Sequence, residues 1–327
     1  MRKVRPAANR VSSIRTTAVK ALSTALAVIA TACGGGGEST PAVEESPPVV
    51  AAGPLRVGLS QLSDFPTLAF AYRYTTNSDG SDAQGPSVPD PADVITINYL
   101  AADQSYEIKI PGLERGRLAL VNGNARYSTY SLATSPSRTF QVVLYRPGAA
   151  NPEFPLEYTS FGWWEDPIYT PIPATLRSNN TGYFAYGVPT ALGDVPVTGS
   201  ATYHSLVTGS TSASLGASYV SGAMNLTFDF SKGILAGNLE LVLNAGGPGE
   251  GYFGDFEFTA ARYTVGANGF SGKFSTPGGV EGFFEGQFTG PQASELMVRW
   301  LLPQSPPNVR SAGSLFGVLV GKRANDS

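Results

Sequence analysis

Apolar and polar residues alternate with a period of two through most of the chain beyond Gly53. The clearest run lies at 222–230, where polar residues separate four apolar positions, Met224, Leu226, Phe228 and Phe230. Successive side chains of an extended strand point to opposite faces, so this alternation predicts strands with one apolar face. After Gly53 no stretch keeps the apolar spacing of three and four over a dozen residues that a helix needs. The pattern therefore predicts an all-β protein.

Eight such runs follow Val197, and the predicted strands lie near 198–208, 222–230, 234–243, 252–264, 269–275, 280–289, 294–302 and 314–322. Eight short antiparallel strands with one apolar face suit a closed up-and-down barrel with a filled interior, and closure removes exposed sheet edges. A two-sheet sandwich is the alternative. Ser231–Gly233 and Asn268–Gly269 are predicted turns. Gly272, Gly282 and Gly286 are expected to kink strands of a small barrel.

The segment before Val195 is also rich in strands, predicted near 66–75, 93–100, 103–110, 116–121, 124–132, 139–146, 156–164 and 181–188. Residues 77–93 are expected to form a long polar loop because Pro, Gly, Ser and Asp dominate them. The predicted organisation is a β-rich domain at 54–194 followed by a barrel domain at 195–327, with a junction at 192–197.

The first 32 residues have the layout of a secretory signal peptide, with six basic residues, no acidic residue and a short apolar segment at 21–30. They end in Ala30-Thr31-Ala32-Cys33, which resembles a bacterial lipobox, and Cys33 is the only cysteine of the chain. That resemblance implies that the Cys33 thiol carries a diacylglycerol and that Cys33 becomes the first residue after cleavage. An ordinary secretory signal with a chance cysteine is the alternative.

Residues 33–53 are rich in Gly, Pro and Glu and have no apolar periodicity, so we expect a disordered tether between the lipid and the folded body. Gly34 follows the cysteine, and by resemblance to enterobacterial sorting rules this favours the outer membrane. Loss of the signal leaves 16 basic against 25 acidic residues. This acidic balance argues against a nucleic-acid partner.

Residues suited to catalysis are scarce. His204 is the only histidine, no Gly-x-Ser-x-Gly segment occurs, and we expect His204 to be an exposed residue of the barrel wall. Glu165 and Asp166 are adjacent on a predicted strand, so they point to opposite faces and cannot act as a glycosidase pair. The run at 77–82 lacks the twelfth-position glutamate of a calcium loop, and Gly246–Gly251 lacks the context of a phosphate-binding loop.

Three segments together resemble a known barrel family: Thr198–Tyr203, Leu226–Phe230 and Phe283–Glu295. They are similar to the barrel of the transferrin-binding protein B-like surface lipoproteins, a group that includes factor H binding protein and hemophilin-like haem carriers. The family signature is matched at Gly286, Phe288, Gly290, Pro291, Ala293 and Glu295, whereas Met297 and Val298 stand in place of its glycine pair.

The resemblance implies a sheet-rich handle domain before an eight-stranded antiparallel up-and-down barrel. It also implies a lipid-anchored protein of the outer membrane or cell surface that binds a host or environmental protein, or an iron-bearing ligand, without catalysis. An outer-membrane receptor as a further partner is left open. A structural envelope lipoprotein without a soluble ligand and a haem carrier with His204 as axial ligand are the alternatives. No cofactor, metal ligand or catalytic residue is predicted, and the ligand-binding residues are not identified.

Overall fold

The computed structural model describes residues 64–77, 82–84, 95–100, 105–110, 116–135, 138–169, 176–211, 219–244, 251–275, 281–302 and 314–324. The ten strands before Val195 are β1 (Thr67–Asn77), β2 (Asp82–Gln84), β3 (Thr96–Leu100), β4 (Ser105–Lys109), β5 (Gly116–Arg117), β6 (Ala119–Gly123), β7 (Tyr127–Ser135), β8 (Arg138–Tyr145), β9 (Thr159–Tyr169) and β10 (Leu176–Gly187). The eight that follow are β11 (Ser200–Thr211), β12 (Tyr219–Asp229), β13 (Ile234–Asn244), β14 (Gly251–Tyr263), β15 (Gly269–Phe274), β16 (Gly282–Thr289), β17 (Glu295–Leu302) and β18 (Leu315–Arg323).

Strands β11 to β18 form a closed antiparallel barrel in which each strand pairs with its neighbours in sequence. Closure is made by β11 and β18, which pair from Tyr203 with Arg323 to Thr211 with Leu315. The barrel prediction is confirmed against the sandwich, and each predicted strand end lies within three residues of the observed one. A 3-10 turn at Pro291–Ala293 connects β16 to β17.

Aromatic and aliphatic side chains fill the barrel interior. Phe228 is at the centre of this core, with ring centroids of Phe288 and Phe270 at 4.8 and 5.0 Å. The predicted inward positions Met224, Leu226 and Phe228 of β12, and Phe230 directly after it, are all fully buried, and the intervening polar residues lie on the outer face. Gly272 and Gly286 make room for rings: a Cβ on either would lie within 2.4 Å of Phe284 or Phe270. These two glycines therefore accommodate rings inside the barrel, and the predicted kinks stay a prediction.

The strands before the barrel form two sheets. One has seven strands in the order β2-β1-β10-β9-β8-β7-β6, and the other is β3-β4-β5. The predicted strand at 116–121 is two strands, because the backbone N–H of Leu118 donates to Tyr106 O at 2.9 Å and the chain changes sheets there. The predicted loop at 77–93 contains β2, a three-residue edge strand that is too short to carry an alternating pattern.

The seven-stranded sheet lies between the small sheet and the barrel wall. In β1, Ala69 packs with the small sheet, whereas Phe70 packs with Leu301 and Phe316 of the barrel. In β10, Tyr186 packs on the side of the small sheet, whereas Ala185 packs on the side of the barrel. A sheet that is covered on both faces needs apolar residues on both, which explains the continuous apolar run Tyr183–Tyr186.

All eighteen strands belong to one compact unit. The proposed domain limits 54–194 and 195–327 stay predictions, and the signal peptide at 1–32 and the tether at 33–53 lie outside the described residues. Across the part of the chain that the structure describes, no helix has the length and apolar character required to cross a membrane.

We predict that Phe228→Ala lowers the free energy of unfolding by about 3–5 kcal/mol, because it removes a buried ring and leaves a cavity. Thr227 is the matched control: its side chain is exposed on the outer face, and Thr227→Ala should cost less than about 1 kcal/mol. Urea unfolding of both variants measures the difference. Equal losses would contradict the inward orientation of Phe228.

Candidate binding surface

The two ends of the barrel differ in the length of their connections. At one end, which we name the junction end, residues 230–233, 264–268 and 290–294 connect the strands. At the opposite, distal end, the strands are connected by residues 212–218, 245–250, 275–281 and 303–314, of which the longest has twelve residues. Long connections on a rigid scaffold are where binding residues concentrate. The distal end is therefore the candidate binding surface, although most of these connections lie outside the described residues.

The strands β1 and β10 of the seven-stranded sheet also run between the junction end and the distal end. Strand β10 begins at the distal end and reaches the junction end at Gly187, where an added Cβ would lie 3.0 Å from Thr289 Cγ2. Its partner β1 runs in the opposite direction and pairs Thr67 with Tyr186. Thr67, near the start of the described chain, thus lies at the junction end, opposite to the strand ends that carry the distal connections.

Side chains fill the barrel interior along its length. The core cluster extends from Phe230 near the junction end to Trp300, Leu302 and Leu315 near the distal end. An open groove of about 670 Å³ lies on the outer wall of β14, β15 and β16. Small outward residues such as Ala260 and Ser271 give it depth, and Arg262, Lys273, Phe283 and Glu285 surround them.

The charges along this groove are largely paired. Lys273 forms an ion pair with Glu281, and Arg299 Nη2 lies 2.5 Å from Glu285 Oε2. Arg262 is exposed on the same wall. The wall of the groove is therefore mixed in charge and partly neutralised.

A buried carboxylate ties the barrel to the seven-stranded sheet at the junction end. Glu295, the first residue of β17, is 1% exposed and accepts the backbone N–H groups of Glu157 and Tyr158 at 2.7 and 2.9 Å. Burial raises the pKa of Glu295 to about 7, while these hydrogen bonds and the nearby Lys322 limit the rise. Lys322 Nζ donates to Pro155 O at 2.8 Å in the same segment.

Two further signature residues, Gly290 and Ala293, make hydrogen bonds beside this contact. Gly290 has φ of 71°, a conformation that favours glycine, and its N–H donates to Val188 O at 2.9 Å. An added Cβ would lie 2.6 Å from Tyr158 Cδ2. The Tyr203 hydroxyl donates to Ala293 O, and Gln292 N donates to Asp194 Oδ2 at 2.8 Å. Gly290, Ala293 and Glu295 of the signature thus take part in the junction between the barrel and the seven-stranded sheet.

Sequence reasoning did not identify Glu157, Tyr158, Thr190 and Asp194 as the partners of the signature. Glu157 and Tyr158 make their contacts through backbone N–H groups, which any residue type provides. Thr190 Oγ1 donates to Gly290 O at 2.7 Å across about a hundred residues of chain. Contacts of these two kinds leave no pattern in the local sequence. Glu295, the last residue of the family signature, was the one hint in the sequence that such partners exist, because a charged residue at the start of a buried strand requires a partner.

The residues considered for chemistry are separated in the structure. His204 is exposed on the barrel wall, as predicted. Glu165 is exposed whereas Asp166 is buried, so the two carboxylates do point to opposite faces. Cys33, residues 78–81 and residues 245–250 lie outside the described residues. Within the described ranges no group of three or more His, Cys, Asp or Glu residues is placed to hold a metal ion.

We predict that Glu295 makes stability depend on pH. Its pKa of about 7 in the folded protein exceeds the ordinary value of 4.5, so the folded state holds the proton more tightly. The resulting contribution, about 3 kcal/mol, is complete below pH 4.5 and is lost as the pH rises through about 7. Urea unfolding across this range should therefore show a falling free energy of unfolding.

Glu295→Gln should remove this slope, since an amide does not titrate. Glu285→Gln is the matched control because Glu285 is exposed, and it should retain the slope. An unchanged slope in the Glu295→Gln variant would show that another group causes the pH dependence.

Comparisons with known proteins gave likenesses of structure only. No protein-family model matches the chain, and no curated protein matches it. Among solved structures, transferrin-binding protein B from Haemophilus parasuis Hp5 shares 16% identity at a TM-score of 0.40, covering 79% of this chain and 45% of that one. Transferrin-binding protein B from serogroup B Neisseria meningitidis shares 16% identity at a TM-score of 0.30, covering 79% and 44%.

A third likeness is to HpuA from Kingella denitrificans, solved in complex with human haemoglobin. It shares 16% identity at a TM-score of 0.38, covering 85% of this chain and 95% of that one. The chain spans less than half the length of the transferrin-binding protein B chains that it matches. The structures are thus similar to the group that the sequence motifs resemble. At these scores the likeness carries no argument about what this chain binds.

Proposed function

We propose that the protein is a lipid-anchored lipoprotein of the bacterial outer membrane, exposed at the cell surface, that binds a protein or iron-related ligand without catalysis. The observation that carries this proposal is that the two ends of the folded body differ. The chain enters at the junction end, where Thr67 pairs with Tyr186, and the long barrel connections leave from the distal end. A lipid at Cys33 would thus hold the protein by one end and leave the other accessible.

The architecture supports binding by a rigid scaffold. The seven-stranded sheet is packed on both faces, and the barrel is closed and filled, so the strand ends that carry the distal connections are held in place. Preorganised strand ends reduce the entropy lost when loops bind a partner. A protein surface is a suitable partner because several connections converge on one end and can contact it together.

The chemistry of the available side chains favours binding over catalysis. The thiol of Cys33 is assigned to the lipid, and the single histidine is exposed on the barrel wall away from the distal connections. Residues of these two types are those most often used as nucleophile and general base. The alternative function is a structural envelope lipoprotein without a soluble ligand, and the experiments below separate the two.

The anchor is tested by Cys33→Ser. We expect loss of metabolic palmitate labelling and release of the protein from membrane fractions, because the serine hydroxyl does not accept the lipid in place of the thiol. Ser39→Ala, a nearby change in the predicted tether, is the control and should leave both unchanged. A serine variant that stays fully in the membrane would overturn the lipoprotein assignment.

Ligand binding is tested on intact cells with transferrin, haemoglobin and haem as probes, since the first two are named in the similar structures. We expect at least one probe to bind, and replacement of residues 303–313 by an equally long Gly/Ser segment to weaken that binding. Lys232→Ala, at the junction end, is the matched control and should retain it. Protease shaving of the cells establishes that the body is exposed. Exposure without binding of any probe would favour the structural alternative.

A further inference from the structure

Four aliphatic side chains are exposed together at the junction end. They are Leu192, Val197, Ile234 and Val265, with exposed fractions of 87%, 55%, 51% and 42%, and we name them the aliphatic rim. Within the described residues, the single other aliphatic residue with comparable exposure is Val121 on the edge strand β6. Turns and linkers are usually rich in Gly, Asn, Asp and Ser, so four aliphatic residues at such positions need another explanation.

The rim residues come from three segments that contact one another. A Cβ at Gly266 would lie 3.5 Å from Val197 Cγ1, and one at Gly233 would lie 3.4 Å from Val265 Cγ2. Ile234 follows Gly233 directly. Leu192 is two residues beyond Thr190, whose carbonyl accepts a hydrogen bond from Asn268 Nδ2 at 2.8 Å. The four side chains therefore share one end of the barrel.

The backbone that carries the rim is held in place by hydrogen bonds. Asp229 Oδ1 accepts the N–H groups of Ser231 and Lys232, each at 3.1 Å, and closes the turn before Ile234. Phe230 N donates to Gly199 O at 2.9 Å, which fixes the linker beside that turn. Ala267 N donates to Thr264 O at 2.9 Å in the turn that carries Val265. The side chains are thus presented outward by ordered turns.

We propose that the aliphatic rim docks on the lipid surface of the membrane that carries Cys33. This inference rests on the lipid anchor of the proposed function. The chain enters the body at the same end as the rim, and 30 residues separate Cys33 from Asp64. A flexible chain of that length, as its composition predicts, has a root-mean-square span of about 30 Å. The anchor therefore keeps the rim close to the bilayer, where even a weak contact is populated.

The charges beside the rim favour aliphatic insertion over electrostatic binding. Lys232 Nζ lies 2.8 Å from Asp229 Oδ2, so the exposed cation nearest Ile234 is paired. Asp194 Oδ2, beside Leu192, accepts the N–H of Gln292 at 2.8 Å. The docking should therefore occur on zwitterionic phosphatidylcholine vesicles and should not require anionic lipid.

The test uses the full lipidated chain reconstituted into phosphatidylcholine vesicles. Because Cys33 carries the lipid, Leu192→Cys introduces the single free thiol, and an environment-sensitive fluorophore attached there reports on the rim. We expect a blue-shifted emission that is quenched by doxyl-labelled lipid. Tyr252→Cys is the matched control, since Tyr252 is 64% exposed and lies at the start of β14 near the distal end. Its fluorophore should emit as in water and resist quenching.

Each other outcome contradicts the docking. A water-like, unquenched label at position 192 in floating vesicles would show that the rim does not reach the bilayer. A blue shift without quenching would show that a second copy or the tether covers the rim. Failure of the anchor is distinguishable: the protein would not float with the vesicles, and Cys33 would react with the fluorophore as a second thiol.

Discussion

The structure depends on the two-sided apolar wall formed by β17 and β18. Leu296 and Val298 point into the barrel core, whereas Met297, Val318 and Val320 lie in a cluster with Tyr145, Phe161 and Ala185 of the seven-stranded sheet. A barrel wall whose outer face is apolar must be shielded from water by another layer. The seven-stranded sheet packs on this wall, and the opposite face of that sheet, which is also apolar, packs against the small sheet. The three layers therefore follow from the one apolar wall.

Glu295 places a polar contact beside this apolar one. The outer wall and the sheet could slide against each other, because apolar packing is not directional. Two backbone N–H groups that converge on one buried carboxylate allow a single register, and Gly290 with its neighbours brings the segment after β10 to the same point. The part of the motif from Gly290 to Glu295 thus holds the barrel and the seven-stranded sheet together.

The same junction gives the molecule its direction. The N-terminal entry, the aliphatic rim and the short turns are at one end, and the long connections are at the other. Under the proposed function this separation is useful, because an end that faces a bilayer and an end that meets a partner have different requirements. Aliphatic side chains on short, ordered turns suit lipid contact, whereas long connections can vary in sequence without disturbing the barrel.

The alternation of apolar and polar residues was sufficient to predict the barrel strands and, in β12, the inward face, because a period of two is imposed by local backbone geometry. The histidine on the wall and the opposed Glu165 and Asp166 followed from the same rule. The number of strands favoured a closed barrel but left a two-sheet sandwich open, and the pairing of β11 with β18 decided between them. Local sequence was insufficient for β2 and for the break at Leu118, since three residues carry no period and a change of sheet depends on the neighbouring strand. The partners of Glu295 and the gathering of Leu192, Val197, Ile234 and Val265 were decided by tertiary structure alone. They join segments far apart in the chain, and only closure of the barrel and packing of the sheet against it bring those segments together.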